Sequence, residues 1–92
     1  MTPQRLMFIA FLARWFTTGD DADFELAVPM FNRKLPWETI CTDILRALQD
    51  SGQAADGRDR NWADKLCRHI WRAAIFKDQR QRHLTRAKHH IL

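Results

Sequence analysis

The stretch PWETICTDILRALQDSG, residues 36–52, carries the clearest structural signal in the chain. Trp37, Ile40, Cys41, Ile44, Leu45 and Leu48 recur at three- and four-residue intervals, so at 3.6 residues per turn all six share one face of a helix. Glu38, Thr39, Thr42, Asp43, Arg46 and Asp50 fall on the other face and read as solvated. Pro36 opens the helix, and Ser51 with Gly52 close it. The apolar stripe is read as core rather than as a cofactor-binding surface, which predicts an amphipathic helix packed on other helices.

A second helix of this kind follows. Ala63, Leu66, Cys67, Ile70, Trp71 and Ala74 make one apolar face, Asn61 is the expected N-cap, and Asp64 completes an imperfect capping box. Lys65, Arg68, His69 and Arg72 cluster on the opposite face at about 100° per residue, and Arg58 joins them if the helix starts early. From Ile75 onward the pattern thins. Lys77, Arg80, Arg82, Arg86 and Lys88 alternate with glutamines and histidines, and Leu84, Ala87 and Ile91 offer a narrow apolar stripe. Residues 77–92 are expected to extend the helix or to form a flexible tail.

The N-terminal part reads differently. Thr2 caps a helix that Pro3 starts and Gly19 ends. Its residues Leu6 to Ala13, with Trp15 and Phe16, place apolar side chains all round the circumference, so the helix must be enclosed. A chain this short barely surrounds one helix, and this predicts self-association or a partner covering Phe8, Phe11, Trp15 and Phe16. The run Leu6–Ala13 resembles a signal-peptide core, but Arg14, Trp15 and Phe16 follow where small residues would mark cleavage. It is also too short to cross a bilayer. Asp20 and Asp21 suit the cap of a short helix from Ala22 toward Ala27, and Pro29 breaks it into a turn over residues 28–35.

With 92 residues, the chain holds one hydrophobic core, because separate cores normally need roughly 50 residues or more each. No strand pattern and no internal repeat is evident. The expected fold is all-α, a small bundle of three to five helices over residues 1–76 with the basic extension behind it. Cys41 and Cys67 sit on the two apolar stripes as small buried hydrophobes. A lone disulfide between them is geometrically possible, but nothing suggests a secreted scaffold, and a cytoplasmic location is the default.

Charge is the main functional signal. Residues 1–56 carry five basic and eight acidic residues, a net of −3, whereas residues 57–92 carry ten basic and three acidic, a net of +7. Such asymmetry suggests contact with nucleic acid or with an acidic surface; the plainer reading is a solvated basic face. Phosphate neutralisation needs several cations presented together, because each contact releases condensed counterions. Arg58, Arg60, Lys65, Arg68 and Arg72, continued by Lys77, Arg80, Arg82, Arg86 and Lys88, form such a track. No asparagine or serine stands among the cations on that face, so backbone contact without strong sequence preference is expected. Trp62, at the helix start beside Arg58 and Arg60, is the candidate for base stacking, while Trp37 and Trp71 read as core.

Other chemistry finds little support in the residues. Cysteines and histidines lack the paired spacing of structural zinc sites, so neither a metal nor another cofactor is expected. The histidines His69, His83, His89 and His90 would instead strengthen anion binding at lower pH. Asp20, Asp21, Asp23 and Glu25 read as capping and solvating groups. No glycine-rich phosphate loop, nucleophile elbow or activated cysteine is present, which argues against an enzyme.

Two functional classes follow. One is a non-catalytic nucleic-acid-binding protein or a helical accessory subunit of a nucleoprotein complex. The other is a small regulator or inhibitor of the phage or plasmid type, docking on a larger protein through the apolar first helix or the acidic segment 20–25. A peripheral membrane role would need a polar face that the first helix lacks. The run Trp62, Leu66, Ile70, Trp71, Arg72 followed by Arg80 and Arg82 resembles the helical small subunits of CRISPR effector complexes. That resemblance implies lining a nucleic-acid path without catalysis, and it is one example of the first class.

Overall fold

The computed structural model describes the backbone of residues 1–53 and 58–91 and the side chains of residues 1–53 and 58–78. Residues 54–57, in the link between the two amphipathic helices, lie outside the described residues. Four helices follow in order: α1 (Pro3–Thr18), α2 (Asp21–Ala27), α3 (Trp37–Asp50) and α4 (Arg60–Ile91), with a 3₁₀ turn (Val28–Met30) between α2 and α3. The fold is a small all-α bundle. No helix among the described residues is long and apolar enough to cross a membrane.

Local chemistry explains where the helices begin and end. The Thr2 hydroxyl accepts the Arg5 N–H at 3.3 Å, with Pro3 in the first turn. Gly19 closes α1 in the left-handed region at φ 68°, where its N–H donates to the Trp15 carbonyl at 2.8 Å. A side chain there would be strained, since a Cβ crowds the backbone at positive φ. Asp20 caps α2 by accepting the Ala22 N–H at 3.0 Å. Pro29 then tightens the chain into the 3₁₀ turn.

The start of α4 differs from expectation. Asp59, not Asn61, is the cap: its carboxylate accepts the N–H of Asn61 at 3.0 Å and of Trp62 at 3.2 Å. The helix begins at Arg60, which places Asn61 inside the first turn. A carboxylate at the cap also satisfies the positive end of the helix dipole, which an amide does less well.

The core joins all four helices. Leu12, Ile44, Ile70, Cys41 and Cys67 are its largest fully buried side chains, and Phe8, Ile9, Phe31 and Ile40 pack around them. α1 lies against α2 and α3, and α4 lies against α3 and the 3₁₀ turn. Glu38 meets Arg60 at 3.5 Å and the Trp37 indole N–H donates to Asp64, so the first turns of α3 and α4 are side by side. Both cysteines are buried and free. Burial pushes the Cys67 thiol up to about 12, reinforced by the Cys41 thiol beside it.

Two readings of burial are corrected. Asp43 is only 2% exposed, although α3's spacing put it on the solvated face. α1 covers that part of α3, and Arg5 reaches across to hold the carboxylate through Nε at 3.0 Å and a terminal nitrogen at 2.9 Å. That hydrogen bonding raises the Arg5 guanidinium further above its ordinary value. A buried carboxylate needs such a partner, since unpaired charge in a poorly solvated site is strongly unfavourable. Trp37 and Trp71, read as core, are 37% and 40% exposed. Trp37 is the first residue of α3, at the end of its stripe, Trp71 lies at the side of the α4 stripe, and the small core is filled before their wide rings are covered. α1, in keeping with the expectation for so short a chain, is not fully enclosed within it. Phe8, Ile9 and Leu12 are buried, Phe11, Trp15 and Phe16 are half-buried, and Leu6 and Met7 remain 49% and 43% exposed.

Candidate nucleic-acid interface

The same rotation that buries Ala63, Cys67 and Ile70 turns the opposite side of α4 to solvent. Lys65, Arg68, His69 and Arg72 are all exposed there, as the spacing predicted. Arg68 and Arg72 lie one turn apart, about 6 Å along the axis. Arg68 also pairs with Asp64 at 3.0 Å, its i−4 neighbour. An exposed pair of this kind contributes little to stability, so the guanidinium can be redirected to another anion at small cost. Among the described residues, neither Lys65 nor Arg72 forms an ion pair.

The cations nearer the helix start are more engaged. Arg60 reaches Glu38 at 3.5 Å. Arg58 is half-buried, lies 5.5 Å above the Trp62 ring and donates to Gln53 Oε1 at 3.3 Å. Trp62 itself is half-buried and packs on Phe16, ring centroids 5.7 Å apart. With Arg58 over its ring and Phe16 beside it, Trp62 is part of the packing that joins α4 to the end of α1. Lys77 is exposed but turned away from that face, toward α2 and the 3₁₀ turn. Arg80, Arg82, Arg86 and Lys88 belong to the α4 backbone, and their side chains lie outside the described residues.

Of the aromatic residues expected to form a protein interface, Phe8 is 4% exposed and packs against Phe31 at 6.0 Å, inside the core. Trp15 lies between Phe16 and Phe24, at 5.5 and 4.8 Å. Phe11, Trp15 and Phe16 therefore pack partly inward, and α1 presents Leu6 and Met7 outward instead.

Two aromatic rings that the sequence did not single out for binding are open. Trp71, 40% exposed, flanks Arg68 and Arg72 on one side, and Phe76, 67% exposed, lies beyond Arg72 on the other. Phe76 broke no pattern in the sequence, because it falls where the apolar periodicity of α4 thins; a large ring at a polar register position was the only available sign. Beside it a groove of about 590 Å³ runs between α2 and α4, floored by Trp15, Phe24 and Ala73 and edged by Asp21, Glu25 and Lys77. His69 lies over Phe24 with ring centroids 5.5 Å apart, forming one wall.

The acidic segment separates into distinct roles. Asp20 caps α2, and Asp23 is buried, accepting the Thr18 hydroxyl at 2.9 Å and facing Arg14 at 3.5 Å. Asp21 and Glu25, one turn apart on α2, are exposed and line the groove. Searches of known protein families, of curated proteins and of solved structures found no match to this chain.

Proposed function

We propose that the protein is a non-catalytic nucleic-acid-binding protein, or a helical accessory subunit of a nucleoprotein complex, that meets the phosphate backbone with the outer face of α4. The observation that supports this most is the row Lys65, Arg68 and Arg72, exposed along one side of a helix whose other side is fixed in the core. Rigid presentation matters because cations held on a packed helix lose little freedom on binding. Arg58 and Arg60 precede the row in sequence, and the basic residues Lys77, Arg80, Arg82, Arg86 and Lys88 follow it. Asn61, exposed in the first turn of α4, falls on the same side as Lys65, Arg68 and Arg72 and is the one amide among the described side chains there; the other polar groups of the row are cations, which favours recognition of the backbone over sequence.

The test is titration of a labelled duplex and a labelled single strand at increasing salt. Binding that weakens steeply with salt supports the reading, and absence of salt-sensitive binding to either nucleic acid overturns it.

A second reading rests on a different surface. The exposed Leu6 and Met7 on α1 suit docking on a larger protein, as a regulator or inhibitor would. A complex that forms through α1 survives nuclease treatment and is lost in Leu6→Glu/Met7→Glu, whereas a nucleic-acid-bridged complex is lost on digestion.

A further inference from the structure

The groove between α2 and α4 adjoins the row of cations. At about 100° per residue, His69, Ala73, Phe76 and Lys77 occupy the quadrant of α4 next to Lys65, Arg68 and Arg72. A strand whose phosphates lie along that row has its bases within reach of the groove. The chemistry inside it is unlike that of the row. Trp15, Phe24 and Phe76 offer apolar ring surface, and Asp21 and Glu25 add two carboxylates that repel phosphate. A site that rejects phosphate yet borders a phosphate-binding surface suits the other half of a nucleotide.

We infer that this groove seats an unpaired base of single-stranded nucleic acid, the ring lying against Phe76 and Phe24 and its amino group donating to Asp21 or Glu25. The inference rests on the proposed phosphate contact along α4. Aromatic surfaces bind bases with any sequence, because every base has a π-face. The carboxylates add a preference. Cytosine presents an N4 amino donor where thymine presents the O4 acceptor, and a carboxylate accepts from the first and repels the second. A duplex keeps its bases stacked and paired, so it engages the cation row alone. Lys77 at the groove edge is placed to meet the phosphate attached to the seated base.

The experiment compares oligo(dC), oligo(dT) and a duplex, each of about a dozen nucleotides, against the whole chain and two variants. Phe76 is mostly exposed, so Phe76→Ala is expected to fold normally, and its circular dichroism and melting curve check this. The wild type binds oligo(dC) about tenfold more tightly than the duplex, and Phe76→Ala loses most of that preference while keeping its duplex affinity. Asp21→Asn/Glu25→Gln removes two negative charges near the strand. Electrostatics alone would tighten every complex equally, whereas loss of base contacts tightens oligo(dT) and duplex binding and abolishes the wild type's preference for oligo(dC) over oligo(dT). Equal binding of duplex and single strand, unaltered by Phe76→Ala, overturns the base seat and leaves the phosphate reading intact. An unchanged preference for oligo(dC) over oligo(dT) in the carboxylate variant also overturns the base seat. No salt-sensitive binding of any probe defeats the phosphate reading itself.

Discussion

α3 and α4 give equivalent inner faces to one core and opposite kinds of outer face to solvent. On the inside, Cys41 and Ile44 of α3 meet the environment of Cys67 and Ile70 of α4, and all four are 0% exposed. On the outside, α3 shows Glu38, Thr42, Arg46 and Asp50, a mixed-charge set, while α4 shows Lys65, Arg68, His69 and Arg72 with Trp71 and Phe76. Inner faces answer to packing, which any apolar side chain of suitable volume satisfies. Outer faces are free of that demand, so an unbalanced outer face with open rings is the better guide to what the protein meets.

The largest effects belong to the shared core. Ile44→Ala and Ile70→Ala should each destabilise the fold by about 2–5 kcal/mol, because each leaves a cavity among fixed neighbours. Urea unfolding of the two variants measures this, and a small loss in one of them alone would mean that the helices do not share one core.

The outer faces should separate where the inner faces agree. Arg68→Glu/Arg72→Glu should weaken nucleic-acid binding by about 100-fold, roughly 2.7 kcal/mol, with little change in melting temperature. Arg46→Glu on α3, which changes the net charge by half as much, serves as the control and should shift affinity by no more than about threefold, corresponding to under 1 kcal/mol. Fluorescence anisotropy with one oligonucleotide reads both, and similar losses in the two variants would show only a general effect of net charge.

A smaller effect concerns how α4 begins. Asp59→Ala removes the carboxylate that holds the Asn61 and Trp62 N–H groups and should cost about 1 kcal/mol. Asn61→Ala should cost less, and the reverse order in thermal melts would reinstate Asn61 as the cap.

The smallest effect at neutral pH is that of the buried thiols. The Cys67 thiol is held up to about 12 in the folded protein, above the ordinary cysteine value, so the folded state keeps its proton longer than the unfolded chain does. Its contribution is fully present below about pH 8.5 and is lost as pH rises toward 12, because the unfolded state there binds fewer protons. Stability measured across alkaline pH should fall more steeply in the wild type than in Cys67→Ala, and labelling by a thiol reagent at neutral pH should require unfolding.

The helices were legible in the sequence for identifiable reasons. Thr2, Pro3, Gly19 and Asp20 act within a few residues of themselves, so local chemistry sets their roles. The stripes of α3 and α4 follow from one period and one burial gradient. What escaped were features decided between elements. Asp43 looks solvated on α3 alone, and only the approach of Arg5 from α1, 38 residues away, makes it a buried ion pair. Trp37 and Trp71 match the apolar period, yet their exposure depends on how much ring a small core can cover. The cation row was visible as composition plus period. The groove beside it was not, because Asp21, Phe24 and Glu25 come from α2 and His69, Phe76 and Lys77 from α4, and no spacing within either helix relates the two.

The most direct test of the outer face of α4 is the salt dependence of binding to a single-stranded oligonucleotide, measured for the wild type and for Lys65→Gln/Arg68→Gln/Arg72→Gln. Each phosphate contact on a single strand contributes about −0.7 to the slope of log affinity against log salt. The triple variant should therefore show a slope shallower by about 2 with an unchanged melting temperature. An identical slope in both proteins would place the phosphate contacts elsewhere and contradict the assignment to Lys65, Arg68 and Arg72.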